Sequence, residues 1–110
     1  MFISFHDALT GIYNRAYFEE ELSRINARRS GTVAIAVADV DDLKRINDTW
    51  GHTKGDELLI RTAKLLRDHV RPEDVVARIG GDEFAVIVRN ASEGAVTEIF
   101  NRLRQAMDKS

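Results

Sequence analysis

The stretch Arg-Ile-Gly-Gly-Asp-Glu-Phe at residues 78–84 joins two short apolar runs, Val-Val-Ala at 75–77 and Phe-Ala-Val-Ile-Val at 84–88. Apolar runs of this length favour strands, and a Gly-Gly turn, where both positions can adopt positive φ, is typical of a β-hairpin. Asp82 and Glu83 stand where the turn meets the second strand, beside glycines that leave space for a ligand. Taken alone, the stretch is better explained by an acidic, solvent-facing hairpin tip than by a binding site.

Composition limits the classes of function. The 110 residues suffice for one small domain with one core, and we expect a single domain over residues 1–110. A net charge of −2 argues against nucleic-acid or membrane contact, and the absence of cysteine excludes disulfides and thiolate metal sites. No apolar run approaches the ~20 residues of a membrane span, and the first residues show no signal-like pattern. The expected location is therefore cytoplasmic.

Hydrophobic periodicity predicts helices at about residues 15–29, 56–70 and 92–107, with Asn14 as the N-cap of the first. Residues 43–50 are expected to form one or two helical turns and residues 51–55 a loop. The apolar run at residues 32–38 predicts a strand covered on both faces. Trp50 and Phe84 are expected in the core or a pocket wall, and His69 in the core. Asp7 and Arg15 are candidates for an ion pair.

The predicted order of elements is helix, strand, helix, hairpin, helix. Without the first helix this is β-α-β-β-α, five of the six elements of a ferredoxin-like, palm-type βαββαβ unit, and it predicts the α+β class. The missing last strand would lie beside residues 32–38. Without that strand the run at 32–38 becomes an open edge, so we expect a domain truncated at its C-terminus or another cover for this edge.

The acidic residues form a candidate metal site. Asp39 ends the strand at 32–38, and it would meet Asp82, Glu83 and the Val40 carbonyl if that strand pairs with the hairpin. Oxygen ligands without His or Cys suit Mg²⁺ (or Mn²⁺) held together with substrate phosphates, as in nucleotidyl transfer. Backbone N–H groups at residues 40–43 and the cation of Lys44 would face the phosphates. The alternative is a solvated acidic loop.

Three motifs together resemble the GGDEF family of diguanylate cyclases. They are the hairpin stretch, residues 39–56 (Asp-Val-Asp-Asp-Leu-Lys-Arg-Ile-Asn-Asp-Thr-Trp-Gly-His-Thr-Lys-Gly-Asp) and residues 7–15 (Asp-Ala-Leu-Thr-Gly-Ile-Tyr-Asn-Arg). The resemblance implies condensation of two GTP molecules to cyclic di-GMP and two pyrophosphates, with one GTP on each of two facing subunits. It therefore implies a bacterial signalling enzyme that works as a transient homodimer.

The resemblance also implies roles for single residues. Asp39, the Val40 carbonyl and Asp82 would hold Mg²⁺, and Glu83 would be a further metal ligand or the base; the sequence does not decide between Asp82 and Glu83 as the base. The other implied contacts with the nucleotide are made at the phosphates by Lys44, at the guanine edge by Asn47 and Asp56 with His52 nearby, and along the hairpin by Gly80 and Gly81. Leu43 stands where the family commonly has Phe and keeps a large apolar group.

A second implied site binds the product. Arg71, Asp74 and Arg102 resemble the family's R-x-x-D inhibition site for cyclic di-GMP, with Arg102 on the last helix. The alternative is a loop with a local ion pair. Family members continue past the last helix with a strand and a helix that carries a Lys and an Arg, and nothing after Met107 matches these. A non-catalytic module that senses GTP or cyclic di-GMP and regulates a partner is therefore the alternative function.

Overall fold

The computed structural model describes residues 4–28, 33–41 and 43–109. In chain order the elements are β1 (Tyr13–Asn14), α1 (Arg15–Arg28), β2 (Val33–Asp39), α2 (Leu43–Trp50), α3 (His52–Asp68), β3 (Val75–Arg78), β4 (Glu83–Arg89) and α4 (Glu93–Lys109). None of the described helices is both long and apolar enough to cross a membrane.

One mixed sheet has the strand order β1-β3-β4-β2. β3 and β4 form the predicted antiparallel hairpin, β2 pairs antiparallel with the other side of β4, and the short β1 runs parallel to β3. The order β3-β4-β2, with helices between β2 and β3 and after β4, is that of the first five elements of a ferredoxin-like unit. The α+β fold predicted from the sequence is confirmed.

The core lies between the sheet and helices α3 and α4. β4 is buried along most of its length, and Phe84 and Val88 are fully enclosed in a cluster with Leu66 of α3 and Leu103 of α4. Because side chains alternate between the two faces of a strand, Ala85 and Ile87 are buried on the opposite face. This burial fixes the register of β4 and with it the position of the hairpin tip.

β2 is an edge strand within the described part of the chain, where it pairs only with β4. The expectation that both of its faces are covered is wrong, because Ile35 and Val37 are 46% and 58% exposed. An apolar run indicates a strand but cannot show whether another element is packed on each face.

The Gly-rich segments differ from the sequence prediction. Residues 51–55 are not a loop, since α3 begins at His52 and Gly51, with a φ of 90°, makes the whole corner between α2 and α3. The hairpin turn does not use positive φ at Gly80 or Gly81. It is a wider loop, in which the N–H groups of Ile79 and Gly80 both donate to the Glu83 carbonyl.

Several side chains differ from the prediction in their exposure or in their ion-pair partner. Trp50 is 70% exposed, and His69 is exposed at the end of α3, where its ring N–H donates to the Leu65 carbonyl. Asp7 pairs with Arg78 instead of Arg15. Apolar character and charge alone did not reveal the exposure of Trp50 and His69 or the contact between Asp7 and Arg78. Phe84 is buried as expected, and Asn14 caps α1 by accepting from the Tyr17 N–H.

Candidate active site

Three carboxylates meet at one end of the β2–β4 pair. The register places Asp39, the last residue of β2, opposite Glu83, the first residue of β4. The Val40 N–H donates to the Asp82 carbonyl at 2.8 Å, which extends the pairing beyond the strands. One carboxylate oxygen each from Asp39, Asp82 and Glu83 lies within 4.8 Å of the others, and all three residues are exposed. Antiparallel pairing therefore brings together acids that are more than forty positions apart in the sequence.

The donor set fits a hard divalent cation. Oxygens bound to one Mg²⁺ at about 2.1 Å in octahedral geometry lie about 3 to 4 Å apart, so small side-chain rotations would bring the three carboxylates into range. Exposure leaves room for water and phosphate oxygens, which Mg²⁺ usually keeps among its ligands. Without a cation, the three negative charges would repel one another. The residues present thus fit Mg²⁺ or Mn²⁺.

A cleft of about 400 Å³ adjoins the acids. It brings together most of the nucleotide-binding residues predicted from the sequence, and its lining comprises Leu43, Lys44, Asn47, Asp48, His52, Asp56, Leu59, Arg78, Gly81 and Asp82. Gly80, Asp39 and Glu83 stand beside the cleft and do not line it. One cleft that runs from a carboxylate cluster to polar side chains has the extent needed for a nucleotide with a bound cation.

The corner at Gly51 sets the shape of the cleft. Lys44 and Asn47, three positions apart on α2, share one face of that helix, and His52 and Asp56, four apart, share a face of α3. A single residue between the helices turns these two faces toward the same space. The polar residues of the cleft therefore depend on the left-handed conformation of Gly51, which non-glycine residues seldom adopt.

Two further residues contribute to the site and were missed by the sequence analysis. Gly55 is buried in α3 directly against the side chain of Asn47. A glycine inside a helix that is otherwise free of breakers is the signal that could have identified it. Arg78 lines the cleft and holds the hairpin turn. Its place as the first residue of the 78–84 stretch is the signal that could have identified it.

Arg78 connects the hairpin turn to the loop before β1. Its guanidinium donates to the Gly81 carbonyl at 2.8 Å and pairs with Asp7 at 3.3 Å. Asp7 in turn accepts from the N–H and the hydroxyl of Thr10, at 2.9 and 2.7 Å. Through these bonds the Asp-Ala-Leu-Thr segment at residues 7–10 supports the backbone that carries Asp82.

Asp7→Asn is expected to destabilise the fold in a pH-dependent way. Burial raises the pKa of the Asp7 carboxyl, but hydrogen bonds from Thr10 and the charge of Arg78 outweigh it, so the pKa lies below the ordinary 3.8. A lowered pKa stabilises the fold above the unfolded value, and this stabilisation is lost as the pH falls through the folded value. Urea unfolding should show the variant less stable by about 1 kcal/mol near pH 7, with a deficit that shrinks as the pH falls below 3.8. A deficit that is independent of pH would contradict this role for the Asp7 charge.

At the predicted product site, the Asp74 carboxylate already forms an ion pair with Arg71. The Asp74 carboxylate is fully buried. It accepts hydrogen bonds from the Arg71 guanidinium at 2.7 Å and from the Arg71 backbone N–H at 2.8 Å. Arg71 also donates to the Arg89 carbonyl at 2.7 Å. Arg102 lies exposed on α4 and has no hydrogen bond or ion pair to either residue. The structure thus contains the local ion pair that the sequence left as the alternative, and a ligand of Asp74 would have to separate it from Arg71.

Comparison with known proteins agrees with the geometry. The sequence model of the family described as "Diguanylate cyclase, GGDEF domain" matches residues 4–110. Diguanylate cyclase DosC of Escherichia coli K12 is 39% identical over 109 residues, which cover 94% of this chain and 23% of DosC. The chain therefore spans about a quarter of the length of this relative.

Solved structures with the same fold include two bacterial proteins. Diguanylate cyclase SiaD of Pseudomonas aeruginosa, in complex with its activator SiaC, superposes with a TM-score of 0.86 at 33% identity, covering 94% of this chain and 41% of SiaD. The GGDEF domain of DgcB from Caulobacter crescentus, in complex with c-di-GMP, gives 0.85 at 34% identity, covering 94% of this chain and 63% of that domain. The chain belongs to the GGDEF domain family, the family of the diguanylate cyclases.

Proposed function

We propose that this chain is a diguanylate cyclase catalytic domain that condenses two GTP molecules to cyclic di-GMP and two pyrophosphates. In each half of the reaction a 3′-hydroxyl attacks the α-phosphorus of the other nucleotide, the bond to pyrophosphate breaks, and the hydroxyl proton passes to a base. The observation that carries the proposal is the meeting of Asp39, Asp82 and Glu83 beside a nucleotide-sized cleft. One core cluster beneath one sheet supports treating the chain as a single domain.

The acids are proposed to hold a divalent cation. Asp39, Asp82, Glu83 and the Val40 carbonyl would be the ligands of Mg²⁺ or Mn²⁺. When bound, the cation would neutralise charge that develops on the phosphates. Asp82 or Glu83 would also accept the proton of the 3′-hydroxyl; both carboxylates are exposed, and Asp82 lines the cleft.

The two ends of the cleft suit the two ends of GTP. Lys44 lines the cleft and supplies a cation for the terminal phosphates. At the guanine end, Asp56 can accept from N1–H and the 2-amino group, donors that adenine does not present in this arrangement. Asn47 and His52 lie in the same lining, Leu43 offers an apolar surface, and Gly81 leaves space beside the hairpin.

Asp56→Ser is expected to weaken the discrimination between GTP and ATP by about 10- to 100-fold, because the hydroxyl cannot accept from both guanine donors at once. Competition binding with the two nucleotides measures the ratio directly. Glu57→Ser, at an exposed neighbour that does not line the cleft, is the matched control. A discrimination unchanged in the Asp56 variant would argue against guanine recognition at this residue.

The proposed partners follow from the reaction. Each site holds one nucleotide, so ring closure requires a transient homodimer with two sites face to face. Arg71, Asp74 and Arg102 are proposed as an inhibitory site for cyclic di-GMP, for which the Arg71–Asp74 pair would have to open. The GGDEF domain of DgcB in complex with c-di-GMP supports recognition of this product by the fold.

Incubation of the chain with GTP and Mg²⁺, followed by chromatographic separation of nucleotides, tests the proposal. We expect cyclic di-GMP and pyrophosphate in a one-to-two ratio. Binding of GTP or cyclic di-GMP without turnover would instead support the non-catalytic sensing module. Absence of both binding and turnover would contradict both functions.

A further inference from the structure

β2 forms an open edge of the sheet in the described part of the chain, where it pairs only with β4. Such an edge offers unpaired N–H and C=O groups to other chains, and natural proteins usually protect it with lysine, proline or a bulge. Residues 33–38, Val-Ala-Ile-Ala-Val-Ala, contain neither a charged residue nor proline. The register to β4 runs without interruption from Val33 to Asp39, so β2 has no bulge. The edge is therefore unprotected and free to pair.

The hydrogen bonds to β4 show which residues of β2 face the open edge. The Val40 N–H donates to the Asp82 carbonyl, and these two residues continue the register of the strands. Hydrogen-bonded positions alternate along each strand of an antiparallel pair. The even-numbered residues of β2 therefore bond to β4. The residues whose N–H and C=O groups point to the open edge are Val33, Ile35, Val37 and Asp39.

Apolar surface lies on both sides of this edge. On one face of the sheet, Ile35 and Val37 are 46% and 58% exposed. On the other face, a groove of about 410 Å³ between β2 and α4 is lined mainly by apolar residues, which include Phe100. Its charged lining residues are Arg104 and Asp108, which have opposite signs. An occupant of this surface should therefore be an extended segment with apolar side chains and balanced charge.

A second copy of this chain meets these requirements. Its β2 supplies the same outward N–H and C=O groups, the same apolar side chains and the same balanced charge, and a twofold axis places each outward donor opposite an acceptor. We propose that two copies of the chain pair antiparallel through β2, with the twofold axis at Ala36, the centre of the strand. Ile35 of one copy then lies opposite Val37 of the other.

The proposed interface is separate from the face-to-face dimer of the reaction and does not rest on the function proposed above. No residue of β2 lines the nucleotide cleft. One pair of seven-residue strands is small beside the ~1,200–2,000 Å² that stable interfaces bury, so we expect a weak dimer. Its dissociation constant should lie between about 10 µM and 1 mM.

Sedimentation equilibrium of the 110-residue chain over this range measures the association. We expect a reversible change from the mass of one chain to the mass of two. A mass that stays at one chain up to about 1 mM would overturn the proposal. Species larger than a dimer would also overturn it, because twofold pairing leaves no open edge on β2.

Two substitutions of Val37 test the contact. Val37→Lys should weaken the dimer about tenfold or more, since it places a charge beside Ile35 of the other copy. Val37→Pro should do the same by removing an outward N–H, while the hydrogen bonds between β2 and β4 remain. Circular dichroism should show both variants folded, because the side chain of Val37 is mostly exposed.

Ile60→Lys is the matched control, because Ile60 is 44% exposed on α3 and does not line the groove beside β2. It should associate as the wild type does. Equal association of the wild type, this control and the two Val37 variants would contradict the proposed interface.

Cysteine cross-linking tests the register, since the chain has no cysteine of its own. Ala36 lies opposite its own copy in a non-hydrogen-bonded pair, with Cβ atoms about 4.5–5.5 Å apart, close to the range of disulfides. Ala36→Cys should therefore form a covalent dimer on mild oxidation. Ala34→Cys and Ala38→Cys should each stay monomeric alone but cross-link when mixed, because residue 34 lies opposite residue 38. Similar cross-linking of all three variants alone, or none of Ala36→Cys, would overturn the pairing.

Discussion

Asp82→Asn is expected to reduce the rate of cyclic di-GMP formation by about a thousandfold. The substitution keeps the size of the side chain and the backbone bond between the Asp82 carbonyl and the Val40 N–H. It removes one of three negative charges that lie within 4.8 Å of one another, and with it a proposed ligand of the cation and a candidate base. Product formation from GTP and Mg²⁺, followed over time, gives the rate.

Asp41→Asn is the matched control for this experiment. Asp41 is exposed and close in sequence to Asp39, but it is not part of the three-carboxylate cluster. The same change of charge at this residue should leave the rate within a few-fold of the wild type. Equal losses in the two variants would show that general negative charge, and not the cluster, supports the reaction.

Phe84→Ala is expected to produce the largest loss of stability. Phe84 is fully buried in the core cluster between the sheet and the helices, and truncation of such a side chain costs about 3–5 kcal/mol. Because the free energy of unfolding of a small domain is about 5–15 kcal/mol, the substitution would remove a large share of it. Urea denaturation followed by circular dichroism measures the change.

Trp50→Ala provides the comparison, since it removes a larger aromatic side chain that is 70% exposed. The expected change in the free energy of unfolding is within about 0.5 kcal/mol, as for most surface substitutions. A loss at Trp50 as large as that at Phe84 would contradict the burial described for these two residues.

The sequence predicted the features that follow from local pattern. Short apolar runs identified β2 and both strands of the hairpin, and the pairing of β2 with β4 then brings Asp39 to Glu83 without further assumption. Helices α1 and α4 and most of α3 follow from apolar spacing. The candidate site could be anticipated because its acids stand at strand ends, where strand pairing alone decides which residues meet.

The features that escaped prediction depend on contacts between distant parts of the chain. The sequence suggested Arg15 as the partner of Asp7, and only the folded arrangement of the N-terminal loop against the hairpin shows that the partner is Arg78. The exposure of Trp50 depends on which face of α2 points away from α3. The role of Gly55 depends on the distance between two helices, which sequence periodicity does not contain.

Cation binding tests the central claim most directly. Titration of Mn²⁺ into the chain with saturating 3′-deoxy-GTP, followed by electron paramagnetic resonance, counts the protein-bound ions after subtraction of nucleotide alone. If Asp39 and Asp82 jointly hold the cation, the wild type and Asp41→Asn should show saturable binding that the Asp39→Asn/Asp82→Asn variant lacks at the same concentrations. Equal Mn²⁺ binding by all three proteins would contradict the account.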